Sequence, residues 1–369
     1  MKTFQCSACG AGVFFDNTHC VQCGATLAYV AAARQMAAFE PNLAGGFWPV
    51  LGSPAQAIRQ GKWRPCENYR TARICNWMVA VDDPQPLCAC CRQTEVIPGL
   101  VRQGNREAWA ALEAAKRRLC YTLDSLALDR PGLAEDPVHG LRFHFLEEVG
   151  PDDEVLTGHD SGLIVLNIAE ADDAEREARR TAMGEPYRTL LGHFRHETGH
   201  FYWDRLVAGG PWLEACRAMF GEETVNYGES LQWHYQNGPP ADWATRYISA
   251  YASCHPWEDW AETWAHYLHL IDGLETARHW QAELARGEGL PAGSEAPAGA
   301  TQPFREQLLR DWLPLSRFLN SVNRSLGQRD GYPFVLPDAV LDKLEFVHRV
   351  VGSAAGKPWP MWPPAAAVQ

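Results

Sequence analysis

His196-Glu197-Thr198-Gly199-His200 is an H-E-x-x-H run, and its spacing makes one chemistry available. Residues i and i+4 of a helix share a face, so both imidazoles can reach one metal ion while Glu197 projects beside them. Zinc held this way lowers the pKa of a bound water towards neutrality, and an adjacent carboxylate can take the proton and later deliver it to a leaving amine. Glu197 is therefore the expected general base. The run YRTLLGHFRHETGHFYWDRLV has helical periodicity on both sides of the motif, which predicts a helix from Tyr187 to Val207, opened by Gly184-Glu185-Pro186.

A catalytic zinc takes three protein ligands and keeps a fourth position open. The candidate for the third lies 58 residues after His200, in YASCHPWEDWAETWAHYLHL. Pro256 suits a first helical turn there, and Glu258, Glu262 and His266 recur at i, i+4 and i+8 on one face of a helix expected to run to Leu274. Glu258 is the expected third ligand. Glu262, one turn on, is placed to accept the other ring N–H of a ligand histidine and so to fix its tautomer. Asp259 is the nearest competitor, but its shorter side chain on an adjacent face requires a different docking angle. Trp257, Trp260 and Trp264 surround these carboxylates and argue against a solvated face, because buried acids are rare unless paired or metal-bound.

Nine of the twelve cysteines fall in the first 91 residues, mostly as close pairs. The start, MKTFQCSACG, carries no export signal, so the pattern reads as metal ligation rather than disulfides. Cys6-x2-Cys9 and Cys20-x2-Cys23 have the spacing of a rubredoxin-like zinc ribbon, a closed structural site. Cys66, Cys75, Cys88 and Cys91 are expected to form a second four-cysteine site, in which Cys90, inside the Cys88-x2-Cys91 knuckle, competes for a place. Cys120, Cys216 and Cys254 lack paired partners and read as free thiols. The expected cofactors are thus one catalytic and two structural zinc ions.

These residues need elements to position them. The run from Arg106 to Leu126 has helical spacing, Leu141 to Leu146 alternates as a strand, and Gly162 to Ile168 reads as a second strand. Helical patterns at 304–326 and 337–352 follow a Gly, Pro and Ala-rich linker at about 287–302. Turn signals such as Gly45-Gly46 divide the cysteine-rich part. The expected class is α+β: zinc-ribbon modules at 1–100, then a mainly helical zincin-like domain with a small sheet at 101–355, and a Pro-rich tail at 356–369 read as disordered.

The formal charge of −12 disfavours a general phosphate-binding surface, so nucleic acid is not the expected partner. No segment approaches the roughly 20 apolar residues of a membrane span, and the chain is expected to be soluble and cytoplasmic. The 15 Trp and 11 Tyr, many of them near the His and Glu cluster, suggest an aromatic-walled cleft.

The chain resembles the bacterial zinc-binding metallopeptidases that join an N-terminal zinc-ribbon region to a C-terminal HExxH domain. The resemblance rests on CSACG with CVQCG, PCENYR with CNWMV and LCACCR, LTGHDSGLIVLNIAEADDAERE, GEPYRTLLGHFRHETGHFYWDRL and ISAYASCHPWEDWAETWAHYLHL, over about residues 1–280. Arg188, Arg195, His193, His159, Glu170 and Asp172 lie in these motifs without a role set by spacing; Arg195 is expected to pair with an acid such as Asp172. A more distant likeness concerns the site alone: lethal-factor-type gluzincins carry Y-x6-E-x3-E, which Tyr251, Glu258 and Glu262 reproduce. That likeness implies Tyr251 as a phenolic donor to the tetrahedral oxyanion, with His255 as the alternative donor. The implied activity is a zinc peptidase or amidase acting on a peptide or protein substrate, with isopeptide or non-ribosomal amides open to the same site. The alternative is a binding or scaffold protein whose ribbon recognises a protein or nucleic-acid partner beside a non-hydrolytic HExxH domain.

Overall fold

The computed structural model describes residues 1–42, 46–150, 153–172, 176, 189–287, 303–332 and 335–355. Gly45, the Gly184-Glu185-Pro186 opening, Tyr187, Arg188, the linker beyond 287 and the tail at 356–369 lie outside the described residues.

Short strands dominate the first hundred residues. β1 (Phe4–Gln5) and β2 (Gly12–Val13) form a small hairpin; β3 (Thr26–Val30), β4 (Gln35–Phe39) and β5 (Val50–Leu51) form an antiparallel sheet; β6 (Trp63–Pro65) pairs with β7 (Met78–Ala80). Strands this short bury little surface by themselves, and the core is supplied by aromatic side chains: Phe4, Phe15, Tyr29 and Trp77 pack together. Tyr121 completes the cluster at 5.5 Å from Phe15 and 6.1 Å from Tyr29.

Tyr121 comes from α1 (Asn105–Ser125), rich in Ala, Leu, Glu, Lys and Arg as a stable helix should be. Its other face, with Trp109, Leu112, Leu119 and Leu123, enters the second core, so one helix serves both. That second core is capped by a four-stranded sheet whose strands lie in the order β10 (Gly158–Asp160), β11 (Leu163–Asn167), β9 (Arg142–Leu146), β8 (Thr94–Val96). Alternation works here as elementary geometry requires: Phe143 and Phe145 of β9, and Ile164 and Leu166 of β11, point inward to meet Phe194 and its neighbours. β8 follows the last cysteine knuckle, so the sheet itself joins the N-terminal region to the rest.

The longer helices that follow are α2 (Leu190–Leu206), α3 (Leu213–Phe220), α4 (Tyr227–Asn237), α5 (Pro256–Gly287), α6 (Leu313–Ser325) and α7 (Asp338–Ala354). The fold is α+β, small sheets with cysteine clusters followed by a mainly helical part. Thr189 caps α2, its hydroxyl accepting from the Gly192 N–H. At the α2–α5 crossing, Gly199 lets the backbones meet: a Cβ there would lie 2.9 Å from Ala261 Cα. The Trp260 indole N–H donates to the Gly199 carbonyl at 2.9 Å, and Tyr202 stacks on Trp264 at 4.8 Å. This crossing positions the His and Glu residues.

α5 runs to Gly287, well beyond the expected end at Leu274. Gly273 has the local character of a helix breaker, but in the fold it is a packing residue. A Cβ there would lie 2.6 Å from the Trp312 ring, and the good helix formers after it continue the helix. Residues 304–325 are helical throughout, with a wide π turn at Leu308–Trp312 before α6. Among the described residues no helix is long and apolar enough to cross a membrane.

Candidate metal centre

The α2–α5 crossing brings His196, His200 and Glu258 together, with one ligand atom of each within 4.8 Å of the others. His196 Nε2 lies 3.0 Å from Glu258 Oε2, and His200 Nε2 lies 3.5 Å from Glu258 Oε1. On its far side the His196 ring donates Nδ1–H to Glu262 Oε1 at 2.7 Å. A carboxylate only accepts, so Nδ1 carries a proton and Nε2 is the ring nitrogen turned to Glu258, the one available to a metal ion in place of its proton. Ser249 Oγ holds the other Glu262 oxygen at 2.6 Å. Burial pushes the Glu262 carboxyl up, but the hydrogen bond and charge of His196 outweigh it and hold the group at about 2.

The electrostatics suit a cation. Burial opposes ionisation of Glu258, yet the two imidazoles keep its carboxyl well below the usual range. His196 shows the converse: burial opposes a charge on the ring, and Glu258 and Glu262 overcome it and raise its pKa well above the ordinary value. Glu197, also buried, is pushed up by desolvation and by Glu258 and Glu262, against the pull of the histidines. Three carboxylates around two imidazoles thus create a buried negative field. Glu258 Oε2, buried and without a hydrogen-bond partner, faces into it. Two imidazole nitrogens and a carboxylate are a zinc donor set, so the residues fit that ion.

Around this centre the aromatic wall forms in part as expected. The Trp257 ring lies 3.9 Å from that of His200. Tyr251 sits in the turn before α5 with its ring 6.1 Å from that of His196, and burial, then the charge of Glu258, pushes its phenol up, so it stays protonated. His159, on the edge strand β10, stacks on His200 at 6.3 Å; its Nε2 accepts the Gly162 N–H at 3.0 Å, and burial holds its pKa down at about 3.

Two alternatives weighed in the sequence find other partners, and one expected pairing changes. Asp259, the competitor for the metal, points to α7, where Lys343 Nζ contacts it at 2.5 Å; the adjacent helix face that seemed to need another docking angle has its own partner. His255, the alternative donor, is spent on backbone: Nδ1 accepts the Trp257 N–H at 3.1 Å and caps α5, and Nε2–H donates to the Val225 carbonyl at 3.1 Å. Arg195 pairs with Asp272 rather than Asp172, because Asp272 lies on α5, the helix that α2 crosses. Glu170, for which spacing set no role, meets His193 at 3.4 Å. Sequence reasoning missed Tyr227, whose hydroxyl donates to Glu258 Oε1 at 2.7 Å. It opens α4, 31 residues before Glu258, and no spacing rule links the two.

The cysteines gather into two further clusters. Cys6, Cys9, Cys20 and Cys23 converge, with Sγ–Sγ distances of 3.8 Å for Cys6–Cys23 and 3.6 Å for Cys9–Cys20, and with Cys9 and Cys23 exposed. Cys66, Cys75, Cys88 and Cys91 converge in the interior, all buried. The β6–β7 hairpin brings Cys66 and Cys75 together despite their irregular spacing. Backbone N–H groups of Trp77, Cys88 and Cys91 donate to the sulfurs of Cys75, Cys66 and Cys88. Cys90 stands outside this cluster and interacts with Cys120. None of the twelve cysteines is paired in a disulfide.

Comparison with known proteins adds two family matches. Residues 105–350 match a family described as "Putative zinc-binding metallo-peptidase", and residues 3–102 match a zinc-ribbon domain. The chain is 41% identical over 356 residues to uncharacterised proteins of Mycobacterium bovis and Mycobacterium tuberculosis, the alignment covering 96% of each chain. No solved structure matches it.

Proposed function

This chain belongs to the family of zinc-binding metallo-peptidases, and on that footing we propose that it is a gluzincin-like hydrolase of peptide or related amide bonds. His196, His200 and Glu258 would hold the catalytic zinc, and the two cysteine clusters one structural zinc each. The observation that carries the reading is the convergence of three metal-binding side chains from two crossing helices beside a buried fourth, Glu197.

When bound, zinc would polarise the scissile carbonyl and acidify water. The rest falls to the protein. Glu197 takes the proton of the attacking water on its carboxylate and passes it to the leaving amine; burial raises its pKa towards that of the proton it must carry. Glu262 keeps the His196 ring oriented through Nδ1. Tyr251, kept protonated, donates its phenolic hydrogen to the oxyanion of the tetrahedral adduct. Eight cysteines gathered in metal-type clusters suit a reducing compartment, and we place the protein in the cytoplasm on that ground.

Glu197→Gln removes the base and retains the shape. It is expected to keep the full zinc complement and to lose hydrolysis of a peptide library by about 10²- to 10⁴-fold, the usual worth of a general base. Undiminished cleavage by that variant refutes the mechanism.

A further inference from the structure

Glu258 has two carboxylate oxygens and three polar neighbours. Oε2 lies against His196 Nε2, Oε1 lies at the longer distance of 3.5 Å from His200 Nε2, and Oε1 also accepts the Tyr227 hydroxyl at 2.7 Å. The acceptor is buried, so water cannot readily replace the phenol, and leaving the oxygen unpaired would carry the full desolvation cost. We infer that Tyr227 is a positioning residue for the metal ligand Glu258: it occupies Oε1 and leaves Oε2 as the oxygen presented to zinc. This inference rests on the reading of His196, His200 and Glu258 as a zinc site.

The surroundings of Tyr227 are built for that task. Tyr227 opens α4, whose cap is Asn226, its side chain accepting the Glu229 N–H at 3.0 Å. No residue of α4 is buried, so the core does not hold this helix in place. Its N-terminal end is held from α5 instead: His255 caps α5 through Nδ1 and binds the Val225 carbonyl through Nε2, two residues before Tyr227. The Tyr227 ring meets His255 edge-on at 5.2 Å and Trp257 at 5.9 Å, and Trp257 in turn covers His200. One turn of α5 therefore supplies the metal-binding carboxylate, the aromatic cover of a metal-binding imidazole and the clamp on the tyrosine that orients the carboxylate. The neighbouring Tyr251 hydrogen-bonds to Tyr227, whereas it is the Tyr227 hydroxyl that reaches Glu258, so substituting each phenol in turn separates their tasks.

The test is retention of zinc by the full-length protein under chelator competition, for wild type, Tyr227→Phe and Tyr251→Phe, with total zinc per chain measured at each chelator concentration. Loss of a partner that orients a metal ligand typically weakens metal binding about 10- to 100-fold. Tyr227→Phe should release the third zinc at correspondingly lower chelator, while the two cysteine-bound ions and the unfolding midpoint stay at their wild-type values. Tyr251→Phe should release it as wild type does. Wild-type retention in Tyr227→Phe overturns the inference and leaves the zinc reading standing. Equal weakening in both variants also overturns it, showing general loosening of the pocket. A wild-type chain with only two ions removes the site on which the inference depends.

Discussion

Gly199→Ala sets two effects of opposite sign against each other. An exposed helix gains about 1 kcal/mol when glycine becomes alanine, so propensity alone predicts a more stable protein. The packing at the α2–α5 crossing predicts the reverse. The new Cβ would lie 2.9 Å from Ala261 Cα and 3.2 Å from its carbonyl oxygen, and neither backbone atom can rotate away. Relief to an ordinary carbon contact of ~3.5 Å requires the helices to part by roughly half an ångström. Overpacking of this kind costs about 1–3 kcal/mol, giving a net loss of about 1–2 kcal/mol after the propensity gain in the less favourable half of that range. The same shift separates His196 and His200 from Glu258, at the scale of ~0.5 Å within which a functional constellation must be held. Third-zinc affinity should therefore fall about tenfold, equivalent to about 1.4 kcal/mol. The assays are urea unfolding with Gly199→Ala placed in the His196→Ala, Glu258→Ala background, which keeps the cysteine clusters filled and isolates the packing, and chelator competition on the single variant, which reads the metal. A variant at least as stable as wild type with unchanged zinc retention would refute the claim that close backbone contact builds the site.

Two further outcomes follow from burial. His266 is buried beside Tyr332, whose hydroxyl lies 2.6 Å from Nδ1, and desolvation, with help from Arg195, lowers its pKa to about 4 from 6.5. The folded chain therefore binds fewer protons than the unfolded one between these values, so this stability is complete above pH 6.5 and is lost as pH falls through 4. The difference amounts to about 3 kcal/mol. His266→Gln should flatten the stability curve over that range, and curves for the two proteins that stay parallel would contradict it. The two cysteine clusters should also differ in lability. Cys9 and Cys23 are exposed whereas Cys66, Cys75, Cys88 and Cys91 are buried, so a thiol reagent added to native protein should release one zinc quickly and the second only on unfolding. Simultaneous release would argue against it.

What is legible in the sequence has local geometry behind it. The i, i+4 rule applies within a helix, so spacing alone assigns His196 with His200, and Glu258 with Glu262, to shared faces. The paired knuckles at Cys6, Cys9, Cys20 and Cys23 are legible for the same reason. Long-range placement is not. Which acid Arg195 meets depends on the α2–α5 crossing, and Asp172 and Asp272 differ only in which element carries them. Tyr227 reaches Glu258 because His255 holds the preceding loop, a relation with no period in sequence. Gly273 meets the same limit: its local character is that of a breaker, while its packing against Trp312 makes it an interior residue of a long helix.

The most direct test of the account is zinc per chain, measured by elemental analysis on the wild-type protein and on the His196→Ala, Glu258→Ala double variant. Three clusters of ligands predict three zinc ions in the wild type, falling to two in the variant as the cysteine clusters keep theirs. An unchanged zinc content in the variant would mean that the crossing helices hold no metal, and the hydrolytic mechanism built on them would fail with it.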